Sequence, residues 1–321
     1  MARGSPWARA VGATGGKMDG HMENFKKLFV AIDFSGTSDE ALREAHERAR
    51  FAGAQLAVCH VVPNELRSNV LFPQDTSSAA LQFPQEMKKI GEAAAARVAE
   101  VTGRTEAEYD LFLEDGTPDA LILSQAEEWL ADLIIVGSHG QTGASGMLLG
   151  SVTESVVRHA HCPVLVVRPG KRAGRIIAGT DFSDPSLPAL RAAANEAERT
   201  GAELVVVHSL DVVWSAVAYP AMAFGGAPIN VSPQEIAKLS VTATERLEES
   251  LKQMNIRGET VVATGAAGTA ILEIAAERHA GLIVVGTVGR TGLRRALLGS
   301  VAETVVRNAS CSVLVVRQHP A

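Results

Sequence analysis

Aromatic residues are scarce in this 321-residue chain, at 4% of the total. Set against 46% hydrophobic content rich in Ala, Val, Leu and Gly, that scarcity suits parallel sheets covered by helices. Cysteine is scarce too. Cys59, Cys162 and Cys311 form no CxxC or CxxxxC spacing, and their odd number argues against a disulfide framework and for a reducing, cytoplasmic setting. An excess of basic charge is also missing. The net charge is −6 and the isoelectric point near 5.9, which speaks against a nucleic-acid surface built on clustered Lys and Arg.

Residues 1–24 contain no continuous apolar core of a signal peptide, and their "GHM" before the first strand reads as a cloning junction or an over-extended start. They are expected to lie outside the folded domains. From Val212 to Gln234 the chain carries no charged residue, a length that could cross a bilayer. Pro220, Gly225, Gly226, Pro228, Asn230 and Pro233 break it, and the polar segment Pro63 to Gln82 stands opposite it in the repeat described next. The expectation is an apolar surface loop and no membrane span.

What the chain does contain is itself, twice. Met147 to Arg168 and Ala296 to Arg317 are identical at sixteen of twenty-two positions, at an offset of 149. Leu28 to Leu42 aligns with Ile176 to Leu190 at an offset of 148. Internal duplication of this strength fixes the organisation before any local reading. Within each copy, short β-branched runs alternate with helix-periodic stretches, the pattern of βαβ units. The strands are expected at about Leu28–Ile32, Leu56–Val61, Ala107–Leu113, Leu133–Val136 and Val164–Arg168, then Ile176–Gly179, Leu204–His208, Thr260–Ala263, Leu282–Val285 and Val313–Arg317. Gly53 and Gly201 read as helix C-caps, and Ser232, Pro233 and Glu235 as a capping box with proline at the first helical position. The expected fold class is α/β, two tandem doubly wound Rossmann-like domains. They would span residues 25–170 and 174–318, each a five-stranded parallel sheet flanked by helices, joined by the linker "RPGKRAGR".

Ligands in such sheets sit beyond the carboxyl ends of the strands, where strand order reverses. There strand one ends in Asp33 or Asp181, and strand four opens a glycine loop: "GSHGQTGASGMLLGSVTE" from Gly137 and "GTVGRTGLRRALLGSVAE" from Gly286. Backbone amides can close around phosphate oxygens where no Cβ intervenes, and the following helix adds unpaired N–H groups. A plainer reading is open beside it. Ser151 with Glu154, and Ser300 with Glu303, match the S-x-x-E capping box, which would start a helix with no ligand present. The cap accounts for the serine and glutamate but not for the glycines in two copies.

The pattern G-x2-G-x9-G-[ST] after strand four, with an Asp ending strand one, resembles the universal stress protein family in its tandem form, over about residues 25 to 318. The resemblance implies the branch that binds ATP or a related adenine nucleotide, ADP or AMP, with Mg2+ admissible at the phosphates. It implies that Gly137, Gly140, Gly150 and Ser151 hold the phosphates in the first half, and Gly286, Gly289, Gly299 and Ser300 in the second. Asp33 and Asp181 match the acid that meets the nucleoside. Val61 and Ser209 match the strand-two position whose main chain meets adenine. It further implies that the apolar last strands, "PVLVV" and "SVLVV", pair the halves internally about a pseudo-two-fold, with further homodimerisation open.

Only the second loop carries Arg290, Arg294 and Arg295; the first has Gln141, Ala144, Ser145 and Met147 there and no Arg or Lys. Charge-assisted phosphate contacts are the stronger kind, so the sites are expected to differ. Outward, solvated arginines are the bland alternative. "GATGGKM" at Gly12 lacks the phosphate-loop spacing, and "HAHC" from His159 has no matching ligand cluster in the second copy. His60 and His208 read as packing or local hydrogen-bonding groups, and Ser38 and Ser186 as helix initiators. No catalytic constellation is evident. The functions compatible with these features and the resemblance are an adenine-nucleotide sensor of stress acting on a protein partner, a slow ATPase or nucleotide-activating enzyme, and an interaction scaffold with a structural nucleotide.

Overall fold

A computed structural model describes residues 25–63, 76–103, 108–140, 149–170, 174–183, 186–210, 232–287 and 298–317, with backbone alone at 76–83. The first half runs β1 (Lys27–Ile32), α1 (Gly36–Ala52), β2 (Gln55–Pro63), α2 (Thr76–Thr102), β3 (Asp110–Gly116), α3 (Pro118–Glu128), β4 (Leu133–Gly137), α4 (Ser151–His159) and β5 (Val164–Val167). The second repeats it with β6 (Arg175–Gly179), α5 (Leu187–Thr200), β7 (Glu203–Leu210), α6 (Pro233–Gln253), β8 (Glu259–Thr264), α7 (Ala267–Glu277), β9 (Leu282–Gly286), α8 (Ser300–Asn308) and β10 (Ser312–Val316).

These strands form one ten-stranded sheet in the order β3-β2-β1-β4-β5-β10-β9-β6-β7-β8. All neighbours are parallel except the central pair, where β5 meets β10 antiparallel with Leu165 opposite Leu314. Each half is thus a doubly wound α/β sheet, and the apolar last strands cover each other instead of standing as bare edges. Because β5 and β10 run in opposite directions, the carboxyl ends of the two halves lie at opposite edges of the sheet.

Strand side chains alternate between two cores. Leu28, Val30 and Ile32 belong to one core, with Leu42 of α1 and Val98 of α2 in the first half and Leu190 of α5 and Leu247 of α6 in the second. Phe29, Ile134 and Val164 face the other layer, with Ile122, Val156, Ile271 and Val305. Both faces are buried, so the strands read as continuous apolar runs.

The helix ends follow local chemistry. Gly53 and Gly201 close α1 and α5 at φ 60° and 69°, the left-handed region that glycine enters without a Cβ penalty. Ser232 and Glu235 form the expected capping box. Ser35, not Ser38, caps α1: its hydroxyl accepts from the Ser38 N–H at 3.2 Å, and Ser38 answers by donating to the Ser35 carbonyl. Ser186 does stand at the N-cap of α5, yet its hydroxyl donates back to the Ser183 carbonyl and makes no side-chain cap. The other displaced element is β3, expected from Ala107 and observed from Asp110 to Gly116. An edge strand half-buried on most of its length carries little apolar marking, and its bounds follow pairing with β2 out to Pro63–Gly116.

No helix among the described residues is long and apolar enough to cross a membrane. The uncharged stretch from Val212 falls almost wholly in 211–231, outside them.

Candidate functional site

The order of strands reverses between β1 and β4, and a cavity of about 480 Å³ opens there in the first half. Asp33, Val61, Gly137, Gly140, Gly150 and Ser151 all line it. Cys59, Ile90, Pro118, Ile122 and Val136 supply apolar walls. Val61 is the first residue of β2 beyond the ladder with β1, which ends at Ile32–His60, so the strand continues along the crevice.

The turn that carries Asp33 is wound tightly. Its Oδ1 accepts the Ser35 N–H at 3.0 Å, and Phe34 between them sits at φ 63°. Phe182 repeats this at φ 62°, and Asp181 Oδ1 accepts the Ser183 N–H at 3.0 Å. A phenylalanine in the left-handed region is strained, and such strain gathers at functional sites. Ring packing holds it: Phe34 lies 4.5 Å from the His60 ring and Phe182 lies 4.2 Å from that of His208. The histidines are buried, their Nδ1 atoms bonded to the carbonyls of Ile32 and Thr180 at 2.9 Å, the local role expected of them.

The glycines prove to be needed first by the protein's own packing. A Cβ on Gly137 would lie 2.9 Å from the Thr37 carbonyl carbon, and one on Gly140 would strike Asp33 Oδ2. A Cβ on Gly150 would come within 3.3 Å of His139 Cα. The loop is also tied by bonds that the repeat did not mark. Thr37 donates to the His139 carbonyl, Thr153 to the Gly137 carbonyl at 2.7 Å, and the Gly150 N–H to the Ser138 carbonyl at 2.8 Å. Thr37 and Thr153 are replaced by Pro185 and Ala302 in the second copy, so comparison of the halves hid them.

The capping-box reading of the motif fails. Gly150 is the N-cap of α4 and Ser151 its first helical residue, exposed to the cavity; Gly299 and Ser300 stand likewise on α8. Glu154 turns to Arg158 at 3.0 Å and Arg307 at 2.6 Å instead of to the helix end. Hydrogen bonding by Arg158, helped by the charge of Arg307, holds its carboxyl below the usual range against partial burial. Ser151, Val152 and Thr153 line the cavity, so the first turn of α4, whose N–H groups have no intrahelical acceptor, stands at the crevice.

In the second half, Gly286 ends β9 and the Gly299 N–H bonds the Thr287 carbonyl at 2.7 Å, matching the first half. The Ser209 hydroxyl is spent on the Gly265 carbonyl at 2.7 Å. Gly289, Arg290, Arg294 and Arg295 lie outside the described residues, as do Gln141, Ala144, Ser145 and Met147. In "HAHC", His159 and His161 bond the carbonyls of Ser155 and Ala131, each at 2.9 Å.

Tandem α/β halves, each with a glycine-capped helix after its fourth strand, define the class. The family model described as "Universal stress protein family" matches residues 24–168 and again 173–317. The chain belongs to the universal stress protein family, in its tandem form. A universal stress protein of Mycobacterium tuberculosis H37Rv is 29% identical over 298 residues, 91% of this chain and 97% of that one. One from Methanocaldococcus jannaschii is 35% identical over 158 residues, 48% of this chain and 88% of its own. In fold, a crystal structure of a universal stress protein from Archaeoglobus fulgidus superposes with a TM-score of 0.61 at 20% identity, covering 91% of this chain and 96% of that one.

Proposed function

We propose that each half binds an adenine nucleotide at the carboxyl edge of its sheet, ATP foremost, and that the protein is a stress-response sensor with little or no turnover. Binding would alter a surface read by a protein partner. The observation that carries this reading is the convergence of six motif residues on one cavity of about 480 Å³, a volume in the range of small-molecule sites. Its apolar wall at Val61, Ile122 and Val136 suits a flat base, Asp33 suits ribose hydroxyls, and the N-terminus of α4 suits phosphate.

Both strand-one acids accept hydrogen bonds within their own turns, which fits holding a ribose better than orienting water for hydrolysis. The second site, with Arg290, Arg294 and Arg295 in its loop, is expected to hold a triphosphate more tightly.

Calorimetric titration of ATP into the full chain, and into variants closing one cleft each with Gly150→Trp or Gly299→Trp, tests both statements. Two unequal sites are expected. Equal affinities would remove the inequivalence, and no heat at all would remove the nucleotide reading. Sustained phosphate release over many turnovers would replace the sensor by an enzyme.

A further inference from the structure

Each half's last strand leads into an arginine that reaches into the other half. Arg317, just past β10, donates from Nη2 to the carbonyls of Val157 at 2.9 Å and Arg158 at 2.5 Å, in the last turn of α4. Arg168, just past β5, donates from Nη2 to the carbonyl of Val306 at 2.7 Å, in the last turn of α8. The two arginines are repeat mates at the offset of 149. Among the described residues neither has a carboxylate partner, and the Nε of each is buried without an acceptor. Burial pushes both guanidinium groups below their ordinary value, so holding a cation in these places is costly. What the charge meets in return is the negative end of a helix dipole and carbonyls that the helix itself leaves unpaired.

We propose that Arg317 and Arg168 are positioning residues for the nucleotide clefts, each acting across the pseudo-two-fold on the cleft of the opposite half. The proposal rests on the nucleotide-binding reading. α4 has nine residues and so spans about 13 Å, with Gly150 and Ser151 at the cavity and Val157 and Arg158 at the far end. A cation on the far carbonyls fixes the helix axis and offsets the partial negative charge there. The positive N-terminal end is then less compensated where phosphate would sit. The pairs Glu154–Arg307 at 2.6 Å and Arg158–Glu303 at 3.3 Å lay α4 and α8 side by side; being partly open to solvent, they set register more than strength. On this account a cleft is completed by the other half, which gives the duplication a function beyond covering the last strands.

ATP titrated into the full chain carrying Gly299→Trp reads the first cleft alone. There Arg317→Met is expected to weaken binding about two- to five-fold, the scale of a helix-end charge effect. Arg317→Lys, which keeps the charge, should restore most of the loss. In the Gly150→Trp background Arg168→Met should weaken the second cleft by a similar factor. An Arg317→Met effect that appears equally in both backgrounds, or a lowered melting temperature with affinity intact, would assign a purely structural role and overturn the proposal. If Arg317→Met does not fold, the comparison moves to Arg317→Lys and Arg317→Gln, and equal affinities for those two would overturn it as well. Failure of the parent chain to bind ATP is a separate result, which removes the nucleotide reading itself.

Discussion

Arg48 on α1 grips Glu196 on α5 through both terminal guanidinium nitrogens, at 2.5 Å and 2.9 Å, although 148 residues separate them. Both side chains are buried, and Glu44 and Arg199 complete the cluster at 2.6 Å and 2.8 Å. On the α1 layer, this network is where the two halves meet. Removing Arg48 leaves Glu196 and Glu44 to share Arg199 alone, an excess buried negative charge that costs up to about 3–5 kcal/mol. Arg48→Met is therefore expected to lower the urea midpoint sharply. Replacing Arg48, Glu44, Glu196 and Arg199 together by apolar residues of similar volume should recover most of that loss. A single variant as stable as the parent would mean that water reaches the cluster.

The same network predicts how acid acts. Burial pushes the Glu196 carboxyl up, but Arg48 and Arg199 outweigh it and hold the group below its ordinary 4.5. A carboxyl depressed on folding contributes stability that is fully present above its unfolded value. That contribution is lost as pH falls through the folded value. Between pH about 6 and about 3, the parent should lose more stability than a Glu196→Gln, Arg48→Met double variant, measured by urea midpoints at each pH. Parallel losses would show that other carboxylates govern acid unfolding.

Much of this architecture was legible because the chain is duplicated and its strands are buried on both faces. Leu133–Gly137 and Leu282–Gly286 announce themselves as apolar runs ending in glycine. The motif residues of the first half do converge on one cavity, as their place at the carboxyl ends of β1, β2 and β4 requires. What escaped was chemistry without a period or a repeat mate. Thr37 and Thr153 pin the loop only in the first half, and β3 is set by pairing with β2 and not by its own side chains. Ser151 looked like a cap because S-x-x-E says nothing about the residue before it. Gly150 takes the N-cap position with extended backbone, at φ −68° and ψ 146°. The reach of Arg168 and Arg317 across the two halves had no local signal at all.

The thiols should be inert in the folded chain. Burial pushes Cys59 and Cys162 up to about 12, and Cys311 to about 11 even though Arg168 draws it back. At pH about 8 a group titrating near 11 is thiolate in about one molecule per thousand. An aromatic disulfide reagent should find essentially no reactive thiol in the native protein and three in urea. Rapid labelling of Cys59, which lines the cavity, would mean that the cleft wall opens on the timescale of the reaction.

Gly137 and Gly140 lie three residues apart, and their replacement should fail in different ways. A Cβ on Gly137 meets main chain, the Thr37 carbonyl group at 2.9 and 3.0 Å, in the first turn of α1 where nothing can swing aside. Gly137→Ala is expected to cost about 1–3 kcal/mol as overpacking, read as a lower melting temperature. A Cβ on Gly140 meets only the Asp33 carboxylate, which can rotate away. Gly140→Ala should therefore fold with a stability change under about 1 kcal/mol. Its displaced Asp33 should then present the wrong geometry to a ribose, and ATP affinity of the first cleft, titrated in the Gly299→Trp background, should fall about ten-fold, the scale of one charge-assisted hydrogen bond. If Gly140→Ala binds ATP as the parent does, Asp33 does not touch the nucleoside and the position of the ligand in the cavity must be redrawn.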